Sequence, residues 1–114
     1  MVKEVLRVFD ENTTKKQMFA ITHSKTAEQV KNLADGEVID PVNFVQYVDE
    51  NDKGETNTVL AIVTSEGRLL TSISATLQRD FLEMVDNFGL DFQCRKISGM
   101  TKASREFVTV EMFD

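Results

Sequence analysis

The stretch Glu37-Val-Ile-Asp-Pro-Val-Asn-Phe-Val-Gln-Tyr-Val-Asp49 decides the fold, because it predicts one long strand that changes phase along its length. Val42 and Phe44 share one parity, whereas Val45 and Tyr47 share the other. A change of phase within a strand is typical of a β-bulge, and the proline in this stretch suits a bulge or a sheet edge. The stretch therefore predicts a long, bent strand.

Two further strands follow this one along the chain. The run Thr58-Val-Leu-Ala-Ile-Val-Thr64 is apolar on both faces, which indicates a central strand. Glu66 and Gly67 then predict a tight turn into a third strand, Arg68–Ile73. The acidic loop over residues 49–57 lacks the ligand spacing of a calcium-binding loop, so a solvated loop is expected there.

One helix is predicted after the third strand. From Leu77 to Phe88, apolar residues recur at i, i+4, i+7/i+8 and i+11, which is the spacing of a helix that buries one face. Ser74 is a suitable N-cap, and Gly89 is placed to end the helix. Four phenylalanines are expected in the core: Phe19, Phe44, Phe81 and Phe88.

The last third of the chain contains a run that is free of acidic residues, Phe92-Gln-Cys-Arg-Lys-Ile-Ser-Gly-Met-Thr-Lys-Ala-Ser-Arg105, although the whole chain has a formal charge of −6. The run and the residues after it predict a β-hairpin with strands over 90–97 and 106–113. A basic hairpin on an acidic domain indicates a surface that meets an anion. This pattern favours a nucleic-acid groove over an enzyme site.

The N-terminal residues predict a second hairpin. Its strands are placed at residues 2–9 and 16–22, and residues 10–14 form the turn. Residues 24–35 are expected as a turn of helix or an irregular link. This N-terminal extension could cap the rest of the domain or exchange between subunits, so a homo-oligomer formed through it is left open.

From Gly36 onward the predicted order is strand, strand, strand, helix, strand, strand. This is the order of the OB fold, a five-stranded Greek-key barrel, although other small α+β folds can produce it. The fold class is therefore mainly β, a five-stranded OB-fold barrel with an N-terminal β-hairpin extension. Residues 1–114 are expected to form a single domain, with 1–35 as the extension and 36–114 as the barrel.

Composition restricts the class of protein further. With 114 residues, 41% hydrophobic and 28% charged, the chain is expected to be a single globular domain and not a disordered one. The one cysteine, Cys94, cannot form an intramolecular disulfide, so a reducing, cytoplasmic compartment is expected. No stretch approaches the roughly 18 apolar residues of a membrane span, and the N-terminus lacks the apolar region of a signal peptide.

The residues expected to bind nucleic acid combine aromatic rings and cations. Stacking of a base on an aromatic ring contributes ~1–3 kcal/mol whatever the sequence, so exposed rings are needed. The ring of Tyr47 is expected to face outward, with partial core burial as the alternative. The alternative for the cations is that they are solvated charges that only keep the hairpin soluble. The candidate nucleic-acid-binding residues are Tyr47, Arg68, Arg95, Lys96, Lys102, Arg105 and Phe107.

Enzymatic readings find little support. The single histidine, His23, has no Cys, Asp or Glu at metal-ligand spacing and is expected at the surface. Cys94 has no second histidine to activate it and is expected as a buried structural thiol. The five glycines are scattered singly, so no glycine-rich phosphate loop is present. We expect no catalytic residue, no metal and no cofactor.

A series of short motifs covers most of the chain in order: Lys31-Asn-Leu-Ala-Asp-Gly-Glu-Val-Ile39, Val45-Gln-Tyr-Val48, Thr64-Ser-Glu-Gly-Arg-Leu-Leu-Thr-Ser-Ile-Ser74 and Ile97-Ser-Gly-Met-Thr-Lys102. In these motifs the chain resembles the single-stranded DNA-binding proteins of bacteriophages that replicate linear DNA by protein priming. The resemblance implies a barrel that coats displaced single strands without an enzymatic step. It also implies a stacking role for Tyr47, whereas Leu70 departs from it by replacing an expected aromatic residue.

Two hypotheses on function follow. The first is a sequence-tolerant single-stranded DNA-binding protein that coats and protects displaced strands during phage DNA replication, in the host cytoplasm, with replication proteins as further partners. The alternative is an acidic protein-interaction module, including a DNA-mimic inhibitor of a host nucleic-acid-binding protein. The acidic residues of the stretch 35–55 would carry that second function.

Overall fold

A computed structural model describes residues 1–113 as eight strands, two α-helices and one 3₁₀ turn. The helices are α1, Lys15–Thr22, and α2, Ala75–Phe88, and the 3₁₀ turn is Val30–Asn32. The strands are β1 (Val2–Val8), β2 (Glu28–Gln29), β3 (Val38–Ile39), β4 (Pro41–Glu50), β5 (Thr56–Thr64), β6 (Leu69–Ser72), β7 (Cys94–Met100) and β8 (Glu106–Met112).

The strands form two sheets. The larger sheet has five strands in the order β1-β4-β5-β6-β2, and the smaller has three in the order β3-β7-β8. All neighbouring strands are antiparallel except β2 and β6, which are parallel. The protein is therefore mainly β, with two helices added.

The bent strand predicted over residues 37–49 is present as two consecutive strands. β3 pairs with β7 in the small sheet, and β4 pairs with β5 in the large one. The register between β4 and β5 shifts between Pro41 and Asn43, where the sequence predicted a bulge. This single stretch of chain therefore belongs to both sheets and joins them.

The order of elements after Gly36 agrees with the prediction, but the barrel is not closed. In the part of the chain that the structure describes, β6 and β8 form no ladder, and the sheets remain separate on that side. The gap between these two strands contains the candidate site.

The main core lies between the two sheets and α2. The ring of Phe81, on the apolar face of α2, meets Phe44 and Phe92 edge-on, with centroids 5.6 and 5.8 Å apart. Phe44 and Phe81 are fully buried, as predicted. Phe88 was expected there too, but it is the last residue of α2, lies beyond the edge of the core and is 57% exposed.

α2 begins and ends at the predicted residues. The Ser74 hydroxyl accepts a hydrogen bond from the Leu77 amide at 3.2 Å. Gly89 ends the helix with a φ of 64°, a left-handed conformation that costs glycine little. The predicted N-cap and C-terminal glycine are therefore confirmed.

A second, smaller apolar cluster lies on the opposite face of the large sheet. Its buried members are Val45, Tyr47, Val59 and Ala61. Met18 and Ile21 of α1 cover them from one side, and Val2 and Val8 of β1 pack against the same cluster. The N-terminal residues thus complete a sheet that is apolar on both faces.

The predicted N-terminal hairpin is wrong. Residues 15–22 form α1, and β1 pairs with β4 as an edge strand of the large sheet. A reciprocal capping box begins the helix, because the Thr14 hydroxyl accepts from the Gln17 amide and the Gln17 side chain accepts from the Thr14 amide. Phe19 was predicted to be in the core but is 64% exposed and stacks on His23.

Cys94 is fully buried in the main core, as predicted. Burial raises the pKa of its thiol from 9.0 to about 12. In the unfolded chain the thiol ionises near its ordinary pKa, so its contribution to stability is complete below about pH 9. That contribution is lost as the pH rises towards 12.

We therefore expect Cys94 of the native protein to react very slowly with a thiol-specific disulfide reagent at about pH 8. Addition of denaturant should make the reaction fast. Urea unfolding at rising alkaline pH should also show a loss of stability that is smaller in a Cys94→Ala variant. Equal labelling rates with and without denaturant would contradict the buried placement.

Candidate nucleic-acid interface

A groove lies between β6 and β8, where an OB barrel would close. It encloses a volume of about 470 Å³. Its walls come from the β2 segment, β6, the start of α2 and β8, and they include Gln29, Lys31, Thr71, Ile73, Thr76 and Phe107. We call it the β6–β8 groove. It combines hydroxyl and amide groups with exposed apolar surface, which suits a ligand that has both flat rings and polar edges.

Phe107 provides the aromatic surface of this groove. It pairs across the hairpin with Gly99, and its ring lies directly over that glycine. A Cβ atom on Gly99 would lie only 2.6 Å from the ring's Cζ atom. The glycine therefore allows the half-buried ring to lie against the backbone of β7 while it lines the groove.

Lys102 and Arg105 lie in the loop that joins β7 to β8. Both are exposed, and neither forms an ion pair with any of residues 1–113. The Thr101 amide donates to the Arg105 carbonyl at 2.8 Å, which closes the loop. The predicted basic hairpin is confirmed, although its first strand is Cys94–Met100 and not 90–97. The tip carries two free cations within a few residues of Phe107.

Arg95 also lies on β7, but its charge is compensated. Its guanidinium group forms an ion pair with Glu111, the residue opposite it on β8, and lies 5.9 Å from the ring centroid of Phe113. It remains half-exposed, so a role in DNA binding stays a prediction for this residue.

Arg68 is held in a structural ion pair. Its Nε and Nη2 atoms both donate to the Glu28 carboxylate at 3.0 Å, and Nη1 donates to Glu37 at 3.2 Å. These hydrogen bonds raise the pKa of Arg68 and lower that of Glu28. The side chain that was predicted to contact phosphate is thus engaged with two carboxylates.

Lys96, which was expected to follow the DNA backbone, is buried. Its side chain is 7% exposed. The Nζ atom donates to the Leu33 carbonyl at 2.8 Å and to the Lys31 carbonyl at 3.4 Å, and it lies 3.0 Å from Asp35. This contact lowers the pKa of Asp35. The ammonium group has no free direction in which to meet a phosphate.

The outward ring expected for Tyr47 is not observed. The residue is 7% exposed and lies in the second cluster, beneath α1. Desolvation, followed by the nearby Asp49, raises the pKa of its hydroxyl. Its stacking role stays a prediction that would require α1 to move. Leu70, which stands where an aromatic residue was expected, is buried in the main core.

Sequence reasoning missed two residues of the β6–β8 groove. Lys31 lies in a stretch predicted as an irregular link, and Ile73 was taken as the end of a strand. Both are exposed in the structure. The parallel pairing of β2 with β6 brings these two residues together. No local pattern in the sequence indicates that pairing.

The described residues also bear on a metal site and on a membrane span. Among residues 1–113, no three or more His, Cys, Asp or Glu side chains are arranged to hold a metal ion. Neither helix in this part of the chain is long and apolar enough to cross a membrane. His23 is at the surface, as predicted.

Comparison with known proteins identifies the family. Residues 1–112 match the family model of the phi29-type phage single-stranded DNA-binding protein. The chain belongs to this family. The single-stranded DNA-binding protein of Bacillus phage B103 is 31% identical in an alignment of 106 positions that covers 86% of this chain and 86% of that protein. No solved structure matches the chain. Membership confirms the resemblance seen in the sequence motifs.

Proposed function

We propose that this chain is a sequence-tolerant single-stranded DNA-binding protein that coats and protects displaced strands during phage DNA replication, without a catalytic step. Family membership supports the ligand class. The β6–β8 groove supports the location, because an exposed part of an aromatic ring lies close to a loop with two unpaired cations. This combination is the observation on which the proposal rests.

The two sheets correspond to an OB barrel that is open on one side. The bent strand β3–β4, then β5, β6, β7 and β8, are the five barrel strands in order, with α2 between the third and the fourth. In this fold the loop between the fourth and fifth strands borders the ligand surface. That loop is residues 101–105 here, so the OB assignment and the proposed site agree.

Binding would combine stacking with charge. Bases would stack on Phe107, and Ile73 would extend the apolar surface. Lys31, Lys102 and Arg105 would attract phosphates, a contribution that falls as salt rises. The remaining surface is acidic, with a net charge of −6 for the chain, and would repel duplex DNA that cannot offer its bases to the groove.

The acidic stretch 35–55 offers less support to a DNA-mimic function. Four of its carboxylates form ion pairs within the protein, with Lys96, Arg68, the N-terminal amine and Lys3 as partners. Carboxylates that are already paired present a weaker anionic surface to a basic partner. We therefore favour the DNA-binding function, with the host cytoplasm as its location. Replication proteins and a second copy bound through the N-terminal residues remain further partners to be tested.

The function is tested by titrating a labelled polythymidine strand of ~20 nucleotides at two salt concentrations. A duplex of equal length is the control. We expect saturable binding to the single strand that weakens with salt and strongly exceeds binding to the duplex. Absence of binding at low salt and micromolar protein would contradict the proposal.

Lys102→Ala should change the salt dependence of DNA binding more than the replacement of an aromatic residue in the groove does. Loss of one phosphate contact should reduce the slope of log K against log salt by roughly 0.7. Lys15→Ala is the matched control, because Lys15 is an exposed lysine on α1, beside β1 at the opposite edge of the large sheet. Equal slopes for Lys102→Ala and the wild type would remove the hairpin tip from the binding surface.

A further inference from the structure

The segment from Glu28 to Glu37, which we call the strap, forms one wall of the β6–β8 groove. Gln29 and Lys31 of the strap line the groove directly. Only a two-residue parallel ladder, Glu28 with Leu70 and Gln29 with Thr71, joins it to the large sheet. So short a ladder stabilises a strand weakly, and other contacts must fix the position of this wall.

Two buried apolar side chains and two cations supply those contacts. Val30 and Leu33 of the strap enter the main core. Arg68 holds the two ends of the strap through Glu28 and Glu37. Lys96 holds its middle by donating to the Leu33 and Lys31 carbonyls and pairing with Asp35.

The contact of Lys96 is the one that specifies the backbone of the strap. A buried ammonium group is costly unless it is paired and hydrogen-bonded, and a buried carbonyl is costly unless it has a donor. The Lys96 ammonium group therefore needs the strap carbonyls, and these carbonyls need the ammonium group. Backbone hydrogen bonds join the same two segments. The Gly36 amide donates to the Lys96 carbonyl at 2.7 Å, and the Lys96 amide donates to the Glu37 carbonyl at 3.0 Å.

We propose that Lys96 is a positioning residue for single-stranded DNA binding, which acts by fixing the strap so that Lys31 and Gln29 stand opposite Phe107. It does not touch the DNA. This inference rests on the proposed function, since it requires the β6–β8 groove to be the binding surface. It assigns a binding role to a basic residue that has no access to phosphate.

The test compares Lys96→Met with Lys31→Met, Lys102→Met and Lys15→Met, which change the net charge equally. Each variant is titrated with the ~20-nucleotide polythymidine strand at several salt concentrations. Lys96→Met should lower affinity several-fold, and its salt slope should fall no further than that of Lys31→Met, because only the displaced Lys31 loses a phosphate contact. Lys102→Met should lower the slope. Lys15→Met should behave as the wild type. Hydrogen exchange should become faster for the Leu33 and Gly36 amides in Lys96→Met alone.

Lys96→Gln is the second variant, because it keeps a donor for the strap carbonyls without the buried charge and serves if Lys96→Met does not fold. It should recover part of the lost affinity.

A further reduction of the salt slope when Lys96→Met is added to Lys31→Met would mean direct phosphate contact by Lys96 and overturn the proposal. So would faster exchange in the strap with unchanged affinity. If the wild type binds and Lys102→Met alters the slope, the proposed function stands even when the Lys96 prediction fails. If the wild type does not bind, both fail.

Discussion

Replacement of Phe81 by alanine is expected to destabilise the protein by about 3–5 kcal/mol, the usual cost of deleting a buried phenylalanine ring. The ring is fully buried and lies edge-on between Phe44 and Phe92, so its removal leaves a cavity where α2 meets both sheets. Urea unfolding followed by circular dichroism measures the change. A loss of this size would consume a large part of the stability of a small domain.

Phe88→Ala is the matched control for this prediction. Phe88 lies on the same helix, but its ring is largely exposed, so we expect a change within about 0.5 kcal/mol. Similar losses for the two variants would show that the C-terminal end of α2 is packed into the core. That result would contradict the placement of Phe88 described above.

Phe107→Ala is expected to weaken binding of single-stranded DNA by ~1–3 kcal/mol, or roughly 5- to 150-fold in Kd. The outer edge of the ring lies against Gly99, and the ring lines the β6–β8 groove, where we propose that bases stack on it. Because stacking is not an ionic contact, the loss should be similar at low and at high salt. Fluorescence anisotropy with labelled polythymidine measures it.

Phe19→Ala provides the comparison. Phe19 is the more exposed ring, but it lies on α1, beside β1 at the other edge of the large sheet. We expect its replacement to leave the affinity unchanged. If Phe19→Ala weakened binding and Phe107→Ala did not, the binding surface would lie near α1, and Tyr47 beneath that helix would again become the leading aromatic candidate.

The parts of the fold that were predicted correctly have strong local patterns. Pro41 indicated the position of the bulge, and the spacing from Leu77 with caps at Ser74 and Gly89 indicated α2. The change of parity between Phe44 and Val45 has another cause, because these residues are buried in the two different clusters. The prediction of an N-terminal hairpin was wrong because the run 16–22 is short and largely apolar. In so short a run the periods of a strand and a helix are hard to distinguish. The capping box at Thr14 and Gln17 was the signal that decides it.

The candidate site could be predicted only in part. The acid-free run indicated the hairpin tip, because the distribution of charge is visible in the sequence. The ion pairs of Arg68 and Lys96 could not be seen, since their strap partners lie far away along the chain, 40 residues from Arg68 to Glu28 and 63 from Lys96 to Leu33. Whether a basic side chain is free to bind phosphate depends on such distant contacts, and the local sequence pattern does not reveal them.

The central claim is that single-stranded DNA lies in the β6–β8 groove, and amide chemical-shift mapping during a titration with polythymidine tests it most directly. Shifts should concentrate in the strap, in β6 and the start of α2, and in the hairpin from Gly99 to Val108. An equal concentration of duplex should leave these amides nearly unchanged. Shifts centred on α1 and β1, or on the exposed face of α2, with the groove unaffected, would contradict the account.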